Sequence, residues 1–400
     1  MDVAFLIFVF TYLLMAIGQP PLFRIDRTGA AIIGASCMVI FDVLSVYEAY
    51  EAIDYKTILI LFGMMILIAN LRLSGFFNLI LNFLVQRIQS PLVLLYLIVF
   101  VSGILSAFFI NDTVCLIFTP FILDLTRRIK LNPKPYLLAL CMSANIGSVA
   151  TITGNPQNII IGATSKIPYS TFFIKLFPVA LTGLLICALL LHWFYRKDLN
   201  FPLNKIPEIR YRYNKPLVIK SSLIAILTMV LFFLNAPMEI VSIGMGSFLL
   251  ITRRIKPEKV YNFIDFRLLI LFIGLFIVIK GFEKSVLFNE LIDRFRLLVT
   301  TPLSLVFSCV LLSNIVSNVP AVLIFKPLIT NWFNTEKAWL YLAMASTFAG
   351  NLTILGSIAN IIVIEGASSK VKIGFLEYLK IGLPLTVLSI LAGLIILNLF

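Results

Sequence analysis

The chain has 400 residues, of which 60% are hydrophobic and only 13% charged, whereas an ordinary soluble domain carries about 25% charged and 45–50% apolar residues. With a mean hydropathy of +1.03, most of its surface must face lipid or other apolar helices. A net charge of +13 would suit nucleic acid only if the basic residues shared a soluble face; they sit between apolar runs instead, which excludes that class. Cys37, Cys115, Cys141, Cys187 and Cys309 all lie in apolar stretches without a C-x-x-C, so they read as small buried hydrophobes, not as a disulfide framework or zinc site.

In chain order, apolar runs of the length a bilayer core demands, about 17–25 residues, predict ten crossings. They fall at 3–18, 29–47, 57–71, 136–163, 172–194, 217–235, 238–252, 268–280, 338–364 and 374–396. The first run lacks a basic leader, carries Asp2, and is followed by Gln19-Pro20-Pro21, which is no small-residue cleavage site; it reads as a span and not a signal peptide. Two further regions, 91–129 and 301–329, are too long for one span and are interrupted by polar residues.

Cytoplasmic loops collect Lys and Arg. The segments around 24–27, 72–90, 127–134, 195–216, 253–267 and 370–372 hold 21 of the 32 basic residues, the opposite side six. The first side is therefore cytoplasmic and both termini lie outside. By the same count 91–129 enters and leaves from the cytoplasm and 301–329 from outside, which makes them re-entrant hairpins.

The halves repeat each other weakly but in order. Asp54 to Gly63 matches Asp265 to Gly274 at an offset of 211. Ser106, Asn111 and Phe118-Thr-Pro120 match Ser313, Asn318 and Phe325-Lys-Pro327 at 207, and Gly154 with Asn158 matches Gly356 with Asn360 at 202. Each half holds five spans and one hairpin, and an odd number of crossings inverts the second half. The expected fold is an all-α polytopic membrane protein of two inverted repeats, 1–195 and 217–400, joined by a basic cytoplasmic linker at 196–216. Inverted repeats with discontinuous helices mark secondary transporters; the plainer alternative is a duplicated structural bundle.

The polar interruptions carry the functional reading. Asn111-Asp112-Thr113 sits in an apolar hairpin, where a charge at the bilayer centre costs at least about 2.5–3.5 kcal/mol and free backbone groups are tolerated only in protein or beside a water-filled cavity. Either this tip lines a solute or ion site, or Asp112 is buried in a hydrogen bond to Asn145 or Thr151. The second tip, Ser313-Asn314 to Ser317-Asn318-Val319-Pro320, is polar without charge; its oxygens suit sodium and its N–H groups an anion. After each hairpin comes a span rich in amides and hydroxyls. The first runs through Asn145, Gly147, Ser148, Thr151, Gly154-Asn155-Pro156, Gln157 and Asn158; the second through Thr347, Gly350, Asn351, Thr353, Gly356 and Asn360. Pro156 removes a donor and biases Asn155 away from helix, so the first span unwinds there. The candidate substrate site is where two tips meet two broken helices: Asn111, Thr113, Asn145, Thr151, Asn155, Gln157, Asn158, Ser317, Asn318, Thr347, Thr353 and Asn360.

Asn111-Asp112 with Thr119-Pro120, then Ala144-Asn145-Ile-Gly147 and Gly154-Asn155-Pro156-Gln157-Asn158, resemble the citrate-transporter-like permeases of the ion-transporter superfamily, as do Ser317-Asn318-Val-Pro320 and Gly350-Asn351 in the second half. That group includes arsenite/antimonite permeases and divalent-anion:sodium symporters. The resemblance implies a scaffold and a moving transport part, a homodimer, no cofactor beyond a coupling sodium or proton, and two cation sites. One would comprise Asn111, Asp112, Thr113, Gly147 and Ser148, the other Ser317, Asn318, Gly350 and Asn351. Dicarboxylate carriers of the group show Ser-Asn-Thr at both tips; Asn-Asp-Thr and Ser-Asn-Val here bring the chain nearer the anion-permease branch.

The expected function is secondary transport of a small inorganic or organic anion across the cytoplasmic membrane, coupled to sodium or protons, with lipid and that anion as partners beside a second copy of the chain. A sodium/proton antiporter is the alternative within the class and an anion channel the alternative outside it. An enzyme is not expected: one histidine excludes H-E-x-x-H, and no G-x-S-x-G occurs. Lys326 reads as a snorkelling lysine, His192 as an interfacial anchor, and Asp124 with Arg127 and Arg128 as a helix-surface pair.

Overall fold

A computed structural model describes residues 2–17, 25–200, 211–288, 290, 293–294, 299–329 and 335–400. All secondary structure among them is helical. The Gln19-Pro20-Pro21 motif, Arg24, Arg296 and the 201–210 part of the basic linker lie outside the described residues.

Helices α1 (Val3–Ile17) and α2 (Arg27–Ile40) are followed by the short α3 (Val46–Glu51) and the long α4 (Tyr55–Ser74). In the second half α12 (Lys215–Phe233), α13 (Met238–Leu250), the short α14 (Pro257–Tyr261) and α15 (Phe266–Glu283) follow. The two aspartates that begin the first internal match do the same work: Asp54 caps α4 by accepting from the Thr57 amide at 3.2 Å, and Asp265 caps α15 by accepting from Leu268 at 3.1 Å. The helices α2 and α13, of 14 and 13 residues, are only about 20 Å long at 1.5 Å per residue, shorter than the ~30 Å hydrocarbon core.

These short helices lie against long ones across the two halves, α4 on α13 and α2 on α15. Both contacts are glycine-on-backbone. A Cβ on Gly63 would stand 2.3 Å from the Ser242 carbonyl carbon, and one on Gly274 would stand 2.9 Å from that of Ala31. Gly63 and Gly274, like Ala31 and Ser242, are separated by 211 positions, so one contact is made twice.

The remaining helices hold the polar elements. α6 (Pro91–Phe108) and α7 (Asn111–Arg128) form the first hairpin, and α8 (Lys134–Ser148), a single 3-10 turn at Ile152–Gly154 and α9 (Pro156–Ser165) form the first broken span. In the second half these are α16 (Pro302–Val316) and α17 (Asn318–Ile329), then α18 (Thr335–Ala349), a 3-10 turn at Ile354–Gly356 and α19 (Ile358–Ala367). α6 packs on α8 as α16 packs on α18, and the terminal helices α10 (Tyr169–Phe194) and α20 (Phe375–Leu399) pack on each other. At 18 residues, α6 is one of five helices among the described residues long and apolar enough to cross a bilayer; a two-residue link to α7 makes it a hairpin arm.

The structure corrects the sequence reading in two places. Asn111, Asp112 and Thr113 are the first turn of α7, and the tip itself is Phe109-Ile110. Residues 72–90 are not a loop but contain α5 (Phe76–Arg87). Its Asn82 pairs with both backbone groups of Tyr211, at 2.7 and 2.9 Å, and Asn78 donates to the Arg212 carbonyl at 2.8 Å. Gly75, at φ +85° and only 2.7 Å (as a virtual Cβ) from the Tyr213 Cβ, has to be glycine for α5 to turn under that strand of linker. The linker opens with a short helix, α11 (Arg196–Leu199). The pair expected on α7 is present, Arg128 Nε to Asp124 at 2.8 Å, and His192 bonds the Tyr96 hydroxyl at 2.9 Å.

The glycine contacts give a stability test. An exposed helical Gly→Ala change stabilises by roughly 0.5–1 kcal/mol, as expected for Gly244→Ala, which has nothing within 4 Å of its added Cβ. Gly63→Ala and Gly274→Ala, on the same measure of thermal unfolding in detergent, should lose about 1–3 kcal/mol through overpacking; equal shifts at all three positions would refute the close-approach account.

Candidate functional site

Breaking a helix inside a membrane leaves carbonyls without partners. At both breaks an asparagine one turn into the following helix supplies them. Asn158 Nδ2 donates to the carbonyls of Ser148 and Thr151 at 3.2 and 3.0 Å; Asn360 Nδ2 donates to those of Gly350 and Thr353 at 2.6 and 3.0 Å. Donors and acceptors alike differ by 202 positions. The caps correspond too: Asn155 accepts from the Asn158 amide at 2.9 Å and opens α9, while Ser357 accepts from Ala359 at 3.2 Å and opens α19. Thr151 donates to the Ala107 carbonyl of the first hairpin and Thr353 to the Asn314 side chain of the second, the latter at 2.9 Å.

The two broken spans are bolted together by Asn145. Its Nδ2 donates to Asn351 and Asn360 at 2.9 and 3.0 Å, and its Oδ1 accepts from Asn111 at 3.1 Å and Ser357 at 2.9 Å. The counterpart of Asn145 is Thr347, whose hydroxyl accepts from Asn155 at 3.2 Å and Gln157 at 3.5 Å. Asn145–Ser357 and Thr347–Asn155 are therefore one contact related by exchange of the halves. Ser148 Oγ is tied to the Asn145 carbonyl at 2.8 Å and accepts from Asn155 at 2.8 Å. Asn351 donates to the Met142 carbonyl at 3.2 Å.

Around this network the N-termini of α7, α9, α17 and α19 open onto one cavity of ≈ 50 Å³, lined by Asn111, Asp112, Pro156, Gln157, Ser317, Asn318, Ser357 and Ile358. Its other wall comes from α1, α2 and α15, through Met15, Arg27, Leu268, Leu271 and Phe272. The Asn111 side chain is 95% buried, and its Oδ1 has no hydrogen-bond partner. Asn318 spends its amide nitrogen on the carbonyls of Ser346 and Gly356, at 3.0 and 3.2 Å, which leaves its oxygen for other work. Ser317, between α16 and α17, sits at φ +79°, ψ 162°, a region essentially reserved for glycine that costs on the order of 1–3 kcal/mol. A second cavity, of ≈ 140 Å³, lies beyond Asp112 and is lined by Thr113, Asp265, Arg72 and Phe263 among others; the Arg72 guanidinium lies 4.3 Å over the Phe263 ring. Asp112 borders both cavities and makes no hydrogen bond or ion pair among the described residues.

Of the residues singled out from sequence, Asn111, Asp112, Gln157, Ser317 and Asn318 line the first cavity and Thr113 the second. Asn145, Ser148, Thr151, Asn155, Asn158, Thr347, Asn351 and Asn360 form the buried scaffold behind it, with the half-buried Thr353 at its edge. Gly147 is a packing glycine, its virtual Cβ 2.0 Å from the Gly103 carbonyl, and Gly350 packs beside Ser357 and Asn318. Sequence reasoning missed Arg27, Arg72 and Asp265. The first two were absorbed into a count of basic loop residues, and Asp265 into a repeat match.

This is the architecture of a polytopic membrane transporter: all-helical, with two broken spans and two hairpins around a polar cavity. Residues 10–349 match the citrate transporter family (CitMHS), and the chain belongs to that family. It is 28% identical to the silicon efflux transporter of Oryza sativa subsp. japonica, with 98% of this chain and 96% of that protein covered. It is 30% identical to a 46 kDa membrane protein of Mycobacterium leprae, with coverage of 98% and 97%. Its fold is that of the YdaH transporter of Alcanivorax borkumensis, at a TM-score of 0.58 over 99% of this chain and 98% of that one, with 11% identity. The protein is a multi-pass membrane anion permease and not an enzyme.

Asn145→Ala would strand the side chains of Asn111, Asn351 and Asn360 in a buried setting, where each unsatisfied group costs about 1–3 kcal/mol. The expected drop in the unfolding temperature of the detergent-purified protein is therefore several-fold that of Asn70→Ala, which removes one bond to a backbone carbonyl within α4. Equal drops would show that Asn145 is not the link between the broken spans.

Proposed function

We propose that the protein is a secondary active transporter that moves a small anion across the cytoplasmic membrane, coupled to sodium or protons. The convergence of four helix N-termini on one cavity carries this reading. Each N-terminus brings about half a positive charge and those first-turn N–H groups that the Asn155 and Ser357 caps leave free, and together they favour an anion without a full complement of basic side chains. In this conformation the cavity holds roughly four water-sized volumes, which suits a compact oxyanion; a tricarboxylate needs the site to widen. The family's name points to citrate and the rice relative's to silicon, so both belong among the substrates to test.

The halves are read as inverted repeats, 1–195 and 217–400, on either side of the 196–216 linker. Arg27 lines the first cavity and Arg72, Phe263 and Asp265 line the second; the charge count makes the side of these four residues cytoplasmic, and on that count we read both cavities as facing inward. At 100 mV each charge moved is worth about 2.3 kcal/mol, so uptake of a divalent anion opposes about 4.6 kcal/mol and needs two coupled cations to cancel that term; efflux needs none. Asp112 is the group assigned to the coupling cation. Its counterpart is the neutral Val319, and it borders both cavities. The same aspartate favours sodium/proton antiport as a second reading.

Proteoliposomes offered arsenite, sulfate, phosphate, citrate, succinate or silicic acid under imposed sodium or proton gradients test this reading. Saturable, gradient-driven movement of one of the anions is expected, and Asp112→Asn should abolish its ion dependence. Cation exchange that proceeds at full rate with no anion present would favour the antiporter, and single-channel currents would overturn the carrier. Asp112→Asn with unchanged coupling would remove Asp112 from the cation site.

A further inference from the structure

We infer that Arg27 is the charge-reading residue of the anion site, the group that makes it select a fully ionised oxyanion or carboxylate over a neutral oxyacid. The inference rests on the reading of the cavity as an anion site and deepens it.

Arg27 is the first residue of α2 and lines the cavity opposite the first turns of α7 and α17. It is partly buried, yet makes no ion pair and no hydrogen bond among the described residues. Removing a guanidinium from water without a partner is expensive. Its position adds to the cost, because a cation in the first turn of a helix opposes the helix dipole. Nothing in the stability of α2 asks for it: the cap is supplied by Asp26, which accepts from the Gly29 amide at 2.8 Å. A cost of this kind is offset when an anion arrives. The guanidinium presents a planar fork of N–H donors that matches two oxygens of a carboxylate, sulfate or phosphate.

The opposite wall shows why a second kind of donor is needed. The helix N-termini supply partial charges, and N–H groups of that kind also bond the neutral hydroxyls of an oxyacid. Asn111 Oδ1, buried and without a partner in the same cavity, accepts only, and would welcome a substrate hydroxyl as readily as a cation. Arg27 is the one full positive charge among the residues lining the cavity. The net charge of the bound species is therefore read at Arg27, and its shape and hydroxyls by the hairpins.

Binding to the purified protein, measured by calorimetry with phosphate, sulfate and citrate as anionic probes and silicic acid as the neutral one, tests this apart from transport. Arg27→Gln should weaken the best anionic probe by about tenfold or more, with silicic acid changed less than about twofold, and Arg27→Lys should fall between, since it keeps the charge and loses the fork. Asp26→Ala, which removes the cap and leaves the guanidinium, should bind anions as the wild type does, and matched size-exclusion profiles establish folding. Equal anion affinity in Arg27→Gln and wild type overturns the inference, as does parallel loss of silicic acid or a wild type that binds none of the anions. A wild type that binds an anion through Arg27 but does not transport it would leave the inference standing and defeat the proposed function instead.

Discussion

The site exists because two helices can be broken in a low-dielectric setting, and that is possible only because the freed carbonyls are taken. Asn158 and Asn360 each cap two of them from the following helix. An unsatisfied carbonyl in hydrocarbon costs several kcal/mol, so without these amides the breaks would carry that cost. With the breaks held open, α9 and α19 start in mid-protein and turn their N-termini toward those of α7 and α17. The cavity follows from this one arrangement.

The two halves are close copies where backbone must be satisfied and differ where chemistry is done. The Gly63–Ser242 and Gly274–Ala31 contacts, the asparagine caps and the 3-10 turns all recur at fixed offsets. Asn145, by contrast, faces Thr347, and Asp112 faces Val319. Asn145 has both a donor and an acceptor side and ties four partners; Thr347 has one hydroxyl and holds two. Duplication accounts for the scaffold, and the departures from it accumulate on the first hairpin and broken span. A carrier that handles a cation and an anion needs such asymmetry, since two identical sites cannot discriminate them.

Much of this was legible in the sequence because lipid leaves few options. Apolar runs located the helices, most of them within a few residues, although the run at 29–47 outlasts a helix that ends at Ile40, and amides and hydroxyls amid such runs, at Asn145 or Asn360, can only be structural hubs or ligands. What could not be read was which of the two each would be: Asn158 and Gln157 are neighbours in sequence, yet one caps carbonyls and the other lines the cavity. The amphipathic α5 was hidden because its basic end, Arg87, and its polar Asn78 and Asn82 look like a loop until the linker at 211–214 is seen against them. Arg27 was hidden for a related reason. Counting basic residues by loop treats each as a topology marker, and discards the case in which one points inward.

The cavity wall that carries Arg27 belongs to α1, α2 and α15; the wall with the hairpin tips belongs to α7, α9, α17 and α19. The two walls meet directly along α15 and α17, and the helices beside them along α4 and α9 and along α1 and α16. Within each group the contacts are of another kind: glycine against backbone in the first, a buried amide network in the second. If transport moves one group against the other, the seam where the cavity lies is where that motion falls. If the wall of helix N-termini is the moving transport part that the family resemblance implies, the anion travels with it and leaves the guanidinium behind. In that case Arg27 strengthens binding only while the two walls face each other, and a group that stabilises one state alone biases the equilibrium toward it. Asp112, on the travelling wall and bordering both cavities, stays with the anion throughout. A cation there can compensate the charge that Arg27 no longer covers, which gives a physical reason for coupling: the anion crosses the seam at low cost only when a cation crosses with it.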